Sequence, residues 1–389
     1  MSGLADVPRI PQIAGAAIND PSRPRLYLSA DEIAACPGSI PSLDGLRALS
    51  ILLVLLSHYA ILPHVVSLGR FGVLVFFAIS GFLITRLLFV EMKTSFRVNL
   101  TQFYARRVLR LYPVIIAYTA VVIAIFIILA RPIHWIEPMS AMFYFANYLD
   151  AYYIRNNFDT QMPFAHFWSL SIEEHFYLLF PVSFAILVGG IRKVTLFLIA
   201  VCLTCLGLRL ITAYLHPDYL GGFYFFLPSQ FRLDSIAYGV LLAVACETDR
   251  GRRMIRTFAN PAIVFAALLL LLVAFGIRSE WFRATFQFSM LSIAVVVLMA
   301  AIMFSDRYRY LQIVLNLPLI KWIGVLSYSL YVWHYLVVFM LWQSMPGGSN
   351  FQMTSIGFSL SFVLAAISYY AIEKPFIRMR HRFGSRTIR

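Results

Sequence analysis

Charged side chains are scarce in this chain. Asp, Glu, Lys and Arg make up 13% of its 389 residues, against 60% hydrophobic, where a soluble domain carries about a quarter. That shortage, with a mean hydropathy of +0.78, excludes a water-soluble enzyme and points to a polytopic membrane protein. Acid is the scarcer sign, 18 residues against 32 Lys and Arg. The positive surplus sits in short stretches between apolar runs, which is the pattern of cytoplasmic anchoring and not of nucleic-acid binding. Cysteine is nearly missing too. Cys36, Cys202, Cys205 and Cys246 form no disulfide framework, and Cys202-Leu203-Thr204-Cys205 lies inside an apolar helix, where small packing residues are the reading. G-x-S-x-G, Walker A, G-x-G-x-x-G and H-x-x-x-H patterns are absent. That leaves hydrolase, ATPase, dinucleotide and zinc chemistry without sequence support, and no metal is expected.

What the chain does contain is long apolar runs. They fall at about 45–62, 70–91, 110–130, 167–189, 194–213, 231–246, 260–276, 285–304, 320–343 and 353–372, each near the ~20 residues that cross a hydrocarbon core. The expected fold is all-α and polytopic, with about ten transmembrane helices. A further run near 139–149 is too short to cross and reads as a short re-entrant segment, or one lying against the bundle. With a cytosolic N-terminus, the inner connections 91–110, 190–193, 247–258 and 305–321 and the tail after Glu373 hold most of the Lys and Arg. The outer ones hold only Arg70, Arg131, Arg155, Arg278 and Arg283. This positive-inside bias places both termini in the cytosol. The domain expectation is a flexible cytosolic tail over 1–40, a membrane domain over 41–376 and a basic cytosolic tail over 377–389. The first 40 residues lack the pattern of a signal peptide.

The first apolar run, Leu43 to Tyr59, opens with Arg47 and carries His58 eleven residues on. In a helix both lie on nearly one face, about 16 Å apart along the axis. An ionisable residue inside a span is costly and usually faces a polar interior. On the fourth run, Glu173 and Glu174 follow Trp168, in the outer half with His58. A carboxylate beside an imidazole would make a general-base pair, with a helix-tying polar role as the alternative. Arg107 and Arg110 are i,i+3 at the cytosolic end of the third run, and Arg106 points elsewhere. Two guanidinium forks on one face suit phosphate oxygens, although anchoring in anionic headgroups is the simpler reading of the residues alone. Further polar candidates inside the bundle are Ser80, Arg209, Arg232, Asp234, Tyr328, Tyr331 and His334. Arg209 is a possible partner for Asp234, and Glu373 could cap a basic partner.

Seven pieces in order resemble the acyltransferase-3 family of bacterial integral membrane O-acyltransferases. They are Leu43-Asp44-Gly45-Leu46-Arg47 with ten residues to His58; Phe76 through Ile84; Phe103 through Pro113 with its Arg-x-x-Arg; Trp168 through Pro181; Arg232-Leu233-Asp234-Ser235; Ser327 through His334; and Glu373-Lys374-Pro375. The resemblance covers about 40–380. His175 departs from it, since the family more often has Gln after the two glutamates. The chain also ends soon after the last span, so no fused SGNH-type domain is expected, and the protein would work alone or with a separate partner.

The resemblance implies transfer of an acyl group, usually acetyl, from cytosolic acyl-CoA to a hydroxyl of an extracytoplasmic or lipid-linked glycan, at the bacterial inner membrane. It implies a donor site at Arg47, Arg106, Arg107, Arg110 and Ser80, with acetyl-CoA as donor. His58 would be the base, oriented by Glu173 or Glu174. Acceptor contacts are expected from His334, Tyr331, Asp234, Arg232 and Trp168, and Ser80, Tyr331 and Asn147 are candidate oxyanion donors. Transfer could be direct or through an acyl-histidine. The rival readings are acylation of a small secondary metabolite such as a macrolide, and a transporter using the same polar channel.

Overall fold

The computed structural model describes residues 26–35, 40–59, 66–187, 189–345 and 350–380. All regular structure among them is helical. In order the helices are α1 (Ala30–Ala35), α2 (Leu43–Tyr59), α3 (Val66–Ser95), α4 (Leu100–Ile128), α5 (Ile136–Met142), α6 (Ala146–Arg155), α7 (Trp168–Leu187) and α8 (Ile191–Leu215). They continue as α9 (Leu233–Cys246), α10 (Asp249–Phe258), α11 (Pro261–Gly276), α12 (Glu280–Ala284), α13 (Phe286–Phe304), α14 (Arg309–Leu315), α15 (Pro318–Ser344), α16 (Asn350–Ser368) and α17 (Lys374–Met379).

Among the described residues seven helices are long and apolar enough to cross a membrane, or eight if the bent pair α10–α11 is one span. The protein is therefore an all-α, polytopic membrane protein. Three of the ten expected spans are shorter helices of 17, 14 and 16 residues: α2, α9 and α11. The shortness of α9 has a local cause. Its apolar run begins at 231, but Phe231 ends a 3-10 turn and the helix starts only at Leu233, with Arg232 at its N-cap and Asp234 in its first turn. The 139–149 segment is a helix–turn–helix of α5 and α6, packed against α4 and α7.

The core is built on α2. It lies between α3 and α15, and α9 packs on the other face of α3. Small residues permit the closest approaches. A Cβ on Gly81 of α3 would run into the Ile236 carbonyl of α9, and one on Gly239 of α9 would run into the Ala78 carbonyl of α3. Helices in a membrane associate by such backbone contact, since no hydrophobic drive separates them from lipid. This reciprocal crossing fixes Ser80 at the centre of the bundle.

Two stretches expected to be tails differ in part. In the N-terminal segment α1 is ordered: Ala30 and Ile33 are buried, and Asp31 pairs with Arg252 at 2.6 Å and Arg256 at 2.9 Å. Residues 1–25 of that tail lie outside the described residues, as do 381–389 of the other, and Cys36. At the C-terminal side the helix does not stop at Glu373. It passes through a π turn over Tyr369–Glu373 into α17. A π turn inserts an extra residue into the ladder and re-aims the side chains around it, and here it turns Glu373 inward, where it is buried.

Candidate active site

Two polar centres lie inside the bundle. The first forms where α2 ends. His58 Nδ1 lies 2.9 Å from the Val54 carbonyl one turn back. A carbonyl can only accept, so Nδ1 carries the proton and Nε2 presents a lone pair. Its ring meets those of His334 at 5.0 Å and Tyr335 at 5.7 Å, edge-on. The same logic fixes the next two imidazoles. His334 Nδ1 donates to the carbonyls of Tyr331 at 2.7 Å and Leu330 at 3.2 Å. His166 Nε2 donates to the Val332 carbonyl at 3.1 Å. His334 Nε2 and His166 Nδ1 are buried without a hydrogen-bond partner among the described residues. Three imidazoles therefore stand together, each with one ring nitrogen donating to a backbone carbonyl and the other not hydrogen-bonded to the described residues.

Tyrosines hold this centre in place. Tyr331 donates to the His166 carbonyl at 2.6 Å and shares a 2.5 Å bond with Ser169. Tyr59 ties α2 to the His334 carbonyl at 3.1 Å and to Ser361 at 2.6 Å. The acid on this side is Asp150 of α6, whose field reaches Tyr331 and Tyr335. Burial, with the charge of Glu137 nearby, pushes the Asp150 carboxyl well above the usual carboxylate range.

The second centre joins α3, α4, α7 and the π turn. Arg107 donates from Nε and Nη2 to Glu174, both at 2.8 Å, and lies 4.0 Å from Glu173. Its guanidinium stacks 3.4 Å from the Tyr177 ring centroid. Ser80 donates to Glu173 at 3.0 Å. Arg106 turns away to Glu91 of α3 at 2.8 Å, and Arg47 pairs with Asp44 at 3.1 Å. Glu373 accepts from Ser329 at 2.8 Å and faces Arg110, Arg47 and Arg380. Arg110 itself makes no hydrogen bond or ion pair with the described residues. It is half-buried beside Arg47, Arg107 and Glu373.

The glutamates do not reach His58. The structure gives the orienting role expected of them to the Val54 carbonyl, and gives Glu173 and Glu174 to Ser80 and Arg107. The reason is the helix rise. Glu174 lies six residues, about 9 Å, down α7 from Trp168, which carries it away from the histidines to the level of Arg107.

The other expected contacts separate. Asp234 is fully buried on Arg209 at 2.8 Å and Ser289 at 3.0 Å. Trp168 packs between Phe226 at 4.7 Å and Phe77 at 6.4 Å. Asn147 is tied by its amide nitrogen to Leu227 and Ser229, so it is not available as an oxyanion donor. Arg232 is buried apart from both centres. Sequence reasoning missed His166, Tyr335, Asp150 and the approach of Arg380. His166 left one usable signal, an imidazole one residue before the start of an apolar run.

Residues 40–373 match the family described as an acyltransferase domain. Curated relatives include the O-acetyltransferase OatA of Staphylococcus aureus, 31% identical over 361 residues, which cover 87% of this chain and 57% of that protein. Two putative O-acetyltransferases of the same species, SACOL0978 and SAS0844, are each 30% identical over 357 residues with the same coverage. The chain thus spans a little over half the length of the curated relatives it matches. No solved structure matches.

Proposed function

The chain belongs to the acyltransferase-3 family, and on that premise we propose that it is a membrane O-acetyltransferase. It moves an acetyl group from cytosolic acetyl-CoA to a hydroxyl of an extracytoplasmic or lipid-linked glycan, in the bacterial inner membrane. The observation that carries this reading is His58: an imidazole at one end of the bundle, its Nδ1 proton held by Val54, above an arginine centre about three helical turns away along α2.

The donor site is the arginine centre at the cytosolic end. Arg110 has a fork free of carboxylates, and Arg47, Arg107 and Arg380 surround it. Phosphate oxygens there would take bidentate, charge-assisted bonds. Glu173, Glu174 and Glu373 hold the guanidinium groups in place and keep the charge balanced within the bundle. Arg106 of α4, committed to Glu91 of α3, supports this end.

At the histidine end Nε2 of His58 accepts the proton of the acceptor hydroxyl as its oxygen attacks the thioester carbonyl. The tetrahedral oxyanion collapses and expels the coenzyme A thiolate, which takes the proton from Nε2. One C–O bond forms, one C–S bond breaks and the base is regenerated. His334 and Tyr331 shape the acceptor side of this centre. Purified protein given labelled acetyl-CoA and extracted cell-envelope glycan tests the reading. Labelled glycan from the wild type and none from His58→Ala is the expected result. Label that crosses the membrane unchanged, with no acylated product, would make the protein a transporter.

A further inference from the structure

The two centres leave one buried charge without a role. Arg232 is fully buried, and its Nε, Nη1 and Nη2 have no hydrogen-bond partner among the described residues. Its guanidinium lies 4.0 Å from the Phe288 ring centroid and 4.7 Å from that of Phe226. The Phe226 ring has a second cation, Arg70, at 5.1 Å. Arg70 also has a buried Nε without a partner. It lines a cleft with Gly221, Gly222, Glu280 and Arg283, at the start of α3, the α8–α9 connection and α12.

The charge count in this region does not close. In the cleft Arg70 and Arg283 face one carboxylate, Glu280, which pairs with Arg283 at 3.0 Å. Beneath it Arg209 and Arg232 face one carboxylate, Asp234, which Arg209 holds at 2.8 Å. Each layer thus carries one cation more than its anions. A guanidinium out of water with no anion is costly, and aromatic faces offset only part of that cost. An anion in the cleft would answer both layers at once. The cleft also adjoins the histidine centre. Gly69, next to Arg70, packs on Ser57, and the Ser57 hydroxyl is 3.5 Å from His58 Nδ1.

We propose that this cleft is an anion site, and that Arg70 and Arg283, backed by Arg232, receive a carboxylate or phosphate group of the acceptor glycan while His58 works on a hydroxyl nearby. The preferred acceptor is therefore an acidic glycan. This rests on the glycan reading above.

The test is equilibrium binding, without donor, to the full chain in phosphatidylcholine nanodiscs. The probes are an oligogalacturonate and the same oligomer methyl-esterified to neutrality. The acidic probe should bind about tenfold more tightly, and Arg70→Gln or Arg283→Gln should each remove most of that preference. Arg70→Lys should keep much of it, Arg155→Gln should keep all of it, and unfolding temperatures show that each variant is folded. Equal binding of the two probes, or a preference that survives both Gln variants, overturns the proposal. So does a preference abolished by adding phosphatidylglycerol to the discs, because the site would then belong to a lipid headgroup. The assay involves no turnover, so failure of acetyl transfer and failure of this site are separate results.

Discussion

The histidine centre and the arginine centre are held together by different kinds of bond. Each imidazole is fixed by backbone carbonyls of its own or a neighbouring helix, which sets the donor nitrogen without a charged partner and leaves the other ring nitrogen for a substrate. The guanidinium groups of Arg47, Arg106 and Arg107 are fixed by side-chain carboxylates, so charge is retained inside the bundle. Even the acids differ. Burial raises the Asp150 carboxyl well above the usual carboxylate range, while Glu174 is held directly by a guanidinium. The lesson is a division of labour: a base needs a neutral partner and an anion site needs charge, and the two are kept about three turns of α2 apart.

The sharpest way to break this comparison is His58→Ala. It removes the one spare lone pair at the end of α2 and should lower transfer by about 10²–10⁴-fold, the usual worth of a general base. Its unfolding temperature should change little, because the hydrogen bond lost is local to one turn. A rate assay alongside thermal unfolding checks both.

At the other centre the largest effect should be on stability. Glu174→Gln leaves Arg107 with its nearest charge partner gone, and losing one member of a mostly buried pair costs about 3 kcal/mol. Denaturant unfolding reads this directly. Arg110→Ala makes the contrast within the same centre. Arg110 has no side-chain bond to lose, so stability should hold while donor affinity falls about tenfold. A variant that unfolds instead would make Arg110 structural.

The smallest effect belongs to Asp150. Its carboxyl is raised in the folded protein, so the folded state binds more protons than the unfolded state above the ordinary carboxylate range. Stability should therefore fall as pH rises through and beyond that range towards the raised value. Asp150→Asn, which does not titrate, should become relatively more stable than the wild type as pH rises above the ordinary carboxylate range. Parallel melting curves above that range would contradict the assignment.

Much of this was legible in the sequence, and for physical reasons. Charge scarcity and run length gave the membrane class, and the Arg47–His58 spacing gave one helical face. The Arg209–Asp234 pair was foreseen because a buried charge needs a partner. What stayed hidden depended on which neighbour a side chain meets. Nothing in a sequence says that Val54 offers its carbonyl to His58, since every residue has a carbonyl. Glu173 and Glu174 were set beside His58 by rough depth, but the rise along α7 takes them to Arg107. His166 and Asp150 come from connecting segments, whose paths hydropathy does not encode. The π turn that aims Glu373 inward leaves no clear mark in composition.

The central claim is that donor binding and base catalysis belong to separate centres. Acetyl-CoA affinity, measured by calorimetry on wild type, His58→Ala and Arg110→Ala, tests it most directly. The account predicts a dissociation constant unchanged in His58→Ala and raised about tenfold in Arg110→Ala. Affinity lost in His58→Ala and kept in Arg110→Ala would contradict it.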